Sequence, residues 1–227
     1  MMRNIDTMTV RSEQSVLSTN KVIRNTYMLL SMTMVFSAVT AGISMVINPP
    51  MIFALGAMIL GMVLTFVISK KQNSAAALPL VFAFTGLFGF ALGPILNRYL
   101  GMANGGEIVM TAMGMTAATF LGLSAYVLTS KKDFSFMGGF LSAGLIIVLV
   151  AMVALMILPM FGVNVGAMHL ALSAAVVLLM SGFILYDTSN IVNGTYTNYI
   201  MATVSLYTSI FNLFIHLLSL VGFLNDD

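Results

Sequence analysis

Apolar runs of about 20 residues recur from residue 25 to the C-terminus, separated by brief polar breaks. That is the length a helix needs to cross a bilayer core. The pattern predicts seven such helices, over 25–47, 51–69, 77–97, 107–129, 136–158, 166–188 and 200–223. The breaks are short, the longest near 188–199, so almost no room remains for an extramembrane domain. The expected architecture is an all-α integral membrane protein, a single seven-helix transmembrane domain over 25–227 preceded by a flexible tail over 1–24.

Within this apolar pattern two polar features stand out. Asp187 follows the apolar stretch from Leu170 to Tyr186, where a carboxylate is costly and by default functional. Either it snorkels into the headgroups or it is buried and acts as a latch, with Lys70, Lys71, Lys131 and Lys132 as candidate partners. The seventh helix carries Ser205, Ser209, Asn212, His216 and Ser219 at steps of four, three, four and three, which aligns them on one face. That face is expected to turn toward the bundle interior, either for interhelical hydrogen bonding or to line a watery path for a cation.

Small residues predict how the helices pack. Thr26, Thr33, Ser37, Thr40 and Ser44 form a stripe on the first helix; Gly89 and Gly93 make a GxxxG step on the third. The fifth has Gly138 with Ser142 and Gly139 with Ala143 at the same spacing. The five prolines fall in breaks or end turns, and no internal repeat marks two carrier halves, so a transporter with broken helices is disfavoured. The 21 methionines read as pliable core filler.

Charge fixes the expected orientation. In a seven-helix arrangement Arg3, Arg11, Lys21, Arg24, Lys70, Lys71, Lys131 and Lys132 share one side, and Arg98 alone takes the other. The positive-inside rule then predicts a cytoplasmic N-terminus and an external C-terminus. Only 7% of the chain is charged and the net charge is +2, with no basic stripe, so nucleic acid is not an expected partner; the lipid bilayer is. The first apolar run lacks a small-residue cleavage site and reads as a retained helix.

No cysteine is present, which excludes disulfides and thiolate chemistry. His169 and His216 are able to approach one another, with Glu107 the only acidic group nearby before the C-terminal aspartates, a poor set for a metal. HExxH, GxSxG and a glycine-rich phosphate loop are all missing. The expectation is a protein that is not an enzyme, with no cofactor, metal or catalytic residue. With no tryptophan in the chain, Tyr27, Tyr99, Tyr126, Tyr186, Tyr196 and Tyr199 near the helix ends are the expected interface anchors.

Three motifs carry a resemblance. Leu17-Ser-Thr-Asn-Lys-Val-Ile-Arg-Asn-Thr-Tyr-Met-Leu-Leu30, Gly182-Phe-Ile-Leu-Tyr-Asp-Thr-Ser-Asn-Ile191 and Ser205-Leu-Tyr-Thr-Ser-Ile-Phe-Asn-Leu-Phe214 are similar to segments of the Bax inhibitor family. The resemblance implies a seven-helix fold with a central last helix. It also implies two activities. Members most similar to this chain bind the membrane-bound ATP-dependent protease FtsH, restrain its proteolysis of membrane proteins and are slow substrates of it. Under that reading the tail, with Arg11, Lys21 and Arg24, is the candidate contact; otherwise it is a topological leader. Other members resemble pH-sensitive calcium leak channels gated by two aspartates. Asp187 matches the first, and Ser209 stands where the second belongs, so the coupled titration of a carboxylate pair is lost.

Overall fold

The computed structural model describes residues 2–225, with side chains from Leu17 onward. Asp226, Asp227 and the Arg11 side chain lie outside the described residues. Seven α-helices account for the fold: α1 (Met2–Ile47), α2 (Met51–Lys71), α3 (Ala77–Leu100), α4 (Gly105–Ser130), α5 (Gly138–Ile157), α6 (Gly166–Val192) and α7 (Tyr199–Leu224). Short 3₁₀ turns flank α5 at Ser135–Met137 and Leu158–Phe161. All seven are long and apolar enough to cross a membrane. The protein is a multi-pass seven-helix membrane bundle.

Three differences from the sequence expectation go beyond a shift of one or two residues. Helix α1 does not begin at residue 25 but runs continuously from Met2. Helix α6 continues four residues past 188 to Val192. Helix α3 passes through Pro94 to Leu100, so this proline is interior; a membrane helix tolerates the lost N–H where neighbouring groups compensate. Gly194, at φ 74°, supplies the left-handed residue that turns the chain after α6.

Helix α7 is the axis of the bundle. It contacts α1, α2, α3, α4 and α6, whereas α5 touches only α6 and its own flanking turns. Its apolar positions Val204, Phe211, Leu218 and Val221 are buried, as is Ser209, while Ser205, Asn212, His216 and Ser219 are half-buried. The polar stripe is therefore not the one inward face of α7; a central helix has neighbours all round.

Between α1 and α3 the small-residue expectation holds. A Cβ on Gly89 would strike the Ser37 carbonyl and the Thr40 hydroxyl, and one on Gly93 would strike Ser44. In lipid, where no hydrophobic force draws helices together, such close approach is what association rests on. Thr33 and Thr40 return their hydroxyls to their own helix, at Leu30 O and Ser37 O, so these two serve by size. Ser37 alone in the stripe reaches across, to the Tyr207 hydroxyl at 2.6 Å, and Tyr207 donates on to Thr85 O at 3.3 Å, tying α1, α3 and α7 at a buried point. On α5 the expected pairs separate: Gly138 packs on the Tyr186 ring, while Gly139 faces open space.

Candidate functional site

Near its end helix α6 carries four consecutive polar residues, Asp187, Thr188, Ser189 and Asn190, exposed by only 1, 0, 0 and 3%. Consecutive helical residues point about 100° apart. Four in a row therefore radiate to every side, and the side chains of Asp187, Thr188 and Ser189 each reach a different part of the bundle.

Asp187 faces α7 and the loop before it. Its Oδ2 accepts from the Ser205 hydroxyl at 2.7 Å and its Oδ1 from the Tyr196 hydroxyl at 3.1 Å. Burial, and next the adjacent Asp187 carboxylate, push the Tyr196 hydroxyl above its ordinary pKa, so it remains a donor. Thr188 lies with its hydroxyl 3.5 Å from Tyr27 of α1 and 3.4 Å from Ser124 of α4. Ser189 accepts from the backbone N–H of Phe134 at 2.8 Å, in the loop between α4 and α5. The Asn190 carbonyl accepts from the backbone N–H of Tyr196 at 3.0 Å, folding the α6–α7 loop back over the cluster.

That loop closes one end of the bundle. Asn198 caps α7 by accepting from Ile200 N at 2.8 Å, and its amide donates to Gln72 O at 3.1 Å and to Asn73 Oδ1 at 2.7 Å. The α2–α3 and α6–α7 loops are joined through this one side chain. In the α4–α5 loop Asp133 accepts from Ser135 N at 2.8 Å, and that bond holds its carboxyl below the usual range.

Most sequence candidates are not brought to Asp187. Among the described residues no ion pair joins Asp187 to a lysine; Lys70 and Lys71 end α2 exposed. A buried carboxylate is satisfied here by hydroxyls instead. Asn212 donates to Thr208 O of its own helix at 2.9 Å, and His216 Nδ1 lies 3.2 Å from the Ser173 hydroxyl of α6. Ser209 is buried one turn beyond Ser205. Lys21 and Arg24 are exposed on α1. No group of three or more His, Cys, Asp or Glu side chains converges among the described residues.

Two partners of Asp187 were not singled out by the sequence. Tyr196 reads there as an interface anchor, and its proximity depends on how a six-residue loop folds back. Ser205 reads as one member of a stripe. The run of four polar residues near the end of α6 was the available signal, and it is obscured when the helix is taken to stop at 188.

Comparison with known proteins agrees with this architecture. The chain is 50% identical over 216 residues to the modulator of FtsH protease YccA of Escherichia coli K12, covering 94% of each chain. It is 50% identical over 219 residues, 95% of each, to an uncharacterised membrane protein of Vibrio cholerae. A protein of Neisseria meningitidis is 33% identical over 220 residues, 92% of this chain and 94% of its own. The family model described as "Inhibitor of apoptosis-promoting Bax1" matches residues 19–226, which takes in every membrane span from Leu17 onward almost complete and the whole α6–α7 polar cluster. The chain belongs to the Bax inhibitor family.

Proposed function

We propose that this chain is a modulator of an FtsH-type membrane protease in the bacterial inner membrane. It binds the protease, is degraded slowly by it, and so restrains its proteolysis of other membrane proteins. The observation that carries this reading is the 50% identity, over 94% of both chains, to a relative named for that activity. The fold is compatible, with buried polar groups joining helices and loops at one end of the bundle.

The N-terminus is cytoplasmic in this reading, because eight of nine basic residues then lie inside. The segment over residues 1–24 is the contact, with Arg11, Lys21 and Arg24 its candidate residues. Helix α1 extends continuously from Met2 through this segment, an arm of about 35 Å before residue 25 at 1.5 Å per residue. A processive protease gains hold of such an arm by unwinding it, which slows engagement.

The test is affinity capture from gently solubilised membranes, comparing the full chain with one lacking residues 2–16. FtsH is expected with the full chain and diminished with the deletion, whose half-life is expected to lengthen. Absence of FtsH from both captures overturns the reading. An ion leak is the less favoured alternative because Ser209 occupies the position of the second gating aspartate.

A further inference from the structure

Helices α1 and α4 both pack toward α7, but their backbones stay more than 8 Å apart, and they meet through the rings of Tyr27 and Phe120, whose centroids lie 6.2 Å apart. Between the two helices lies a cavity of about 510 Å³, its floor formed by α3 and α7. On α1 its lining extends from Met34 to Met45 and on α4 from Val109 to Leu121, with Tyr207 and Phe211 of α7 beneath. The Tyr207 hydroxyl is turned away to Ser37 and Thr85, and Thr116 returns its hydroxyl to Ala112 O, so the walls offer hydrocarbon and methionine thioether. Gly42 opens one wall, with nothing within 4 Å of where a Cβ would stand.

We propose that this groove is a binding site for one acyl chain of a membrane phospholipid. Three magnitudes select that occupant. Eleven steps from Met34 to Met45 cover about 16 Å at 1.5 Å each. That is about half of a hydrocarbon core of roughly 30 Å, the depth of one leaflet. The groove occupies the half of the bundle away from Lys70, Lys71 and Lys131, because its α1 lining lies toward Ile47 and its α4 lining toward Gly105.

Cross-section decides between a lipid tail and a partner helix. About 510 Å³ spread over about 16 Å gives a mean section near 30 Å². A helix with its side chains, about 10 Å or more across, needs roughly 80 Å². A polymethylene chain, about 4 Å wide at carbon contact distances, needs less than about 20 Å² and fits with its contacts made. Water has no partners along such walls. The tail fills the space between the α1 and α4 backbones and packs against the residues around the Tyr207 tie.

The inference requires only that the bundle spans a bilayer and is independent of the protease reading. Full-length protein, stripped with excess detergent and released from the micelle in a native mass spectrometer, is expected to retain one phospholipid. Gly42→Leu and Ala117→Leu, which project into the groove, are each expected to lower the retained fraction about tenfold, while Val150→Leu on the exposed face of α5 leaves it unchanged. Loss of lipid by the unaltered protein, equal retention in groove variants that melt like it, or retention of a polypeptide instead overturns the proposal. Should both groove variants unfold, a phospholipid with a mid-chain diazirine decides on the unaltered protein. Adducts concentrated on residues 34–45 and 109–121 support the site, and adducts spread equally over α5 reject it.

Discussion

At the lysine-bearing end of the bundle, α6 reaches α1, α4, α7 and two loops through hydrogen bonds, whereas in the opposite half α1 meets α3 at glycines and stands apart from α4. One end is held by directional bonds between buried polar groups, the other by close packing around an apolar groove. The difference follows from what lipid permits. A buried hydroxyl or carboxylate left unpaired costs free energy, and pairing it ties the elements that carry it to one arrangement. Apolar surface in hydrocarbon has no such obligation and associates only where shape allows. The first region is thus built to be specific, and the second is able to admit a chain from the bilayer.

Mutations that attack each region separate these two modes of holding. The largest effect is expected from Gly89→Leu, whose side chain would enter the Ser37 backbone and part α1 from α3, costing about 3 kcal/mol. Gly139→Ala, in open space on α5, is the matched control and is expected to stabilise by less than about 1 kcal/mol through helix propensity. Equilibrium unfolding in bicelles reads both; equal effects would dissolve the distinction between packed and open glycines.

Next in size, Asp187→Ala leaves the Ser205 and Tyr196 hydroxyls without their acceptor and is expected to cost about 2 kcal/mol, with Asp187→Asn recovering part of it. Tyr196→Phe removes one donor and is expected to cost about 1 kcal/mol. Its companion readout is faster hydrogen exchange in the α6–α7 loop, which the bond to Asp187 holds down. Exchange unchanged from the parent would mean the loop is held by Asn198 and its backbone bonds alone.

The smallest expected effect concerns Asp133, which is fully exposed. Its folded carboxyl is held below the ordinary value by Ser135 N–H, so its stabilising contribution is present above the ordinary carboxylate pKa and is lost as pH falls through the lowered folded one. Asp133→Asn is expected to flatten that acid-side decline slightly. Superimposable stability profiles of parent and variant would show that the bond contributes nothing in solution.

Much of the scaffold could be read from the chain, because length and hydropathy of a span are local properties. The α2 and α5 bounds shift from expectation by two residues or fewer, and Gly89 and Gly93 announce the α3 contact by spacing alone. The candidate site was half legible. A carboxylate after seventeen residues without a charge identifies Asp187 whatever surrounds it. Lysines were expected opposite it, because charge complements charge in a sequence, yet two hydroxyls from α7 and its preceding loop fill that place. Gly139 shares its spacing pattern with Gly89 and faces open space, so small-residue steps name possible contacts and not actual ones.

Sequence alone determined that this chain crosses a membrane seven times, that its last helix carries a polar stripe and that Asp187 is an expensive residue in need of partners. Only the tertiary structure decided which partners it takes, that α7 is surrounded by neighbours rather than turned by one face, and that a groove one leaflet deep separates α1 from α4. The physical reason is that hydropathy specifies how far a helix extends into lipid but leaves its rotation and neighbours open. Those depend on close contacts and hydrogen bonds between residues distant in the chain, such as Ser37 with Tyr207 and Asn198 with Asn73, which no local pattern encodes.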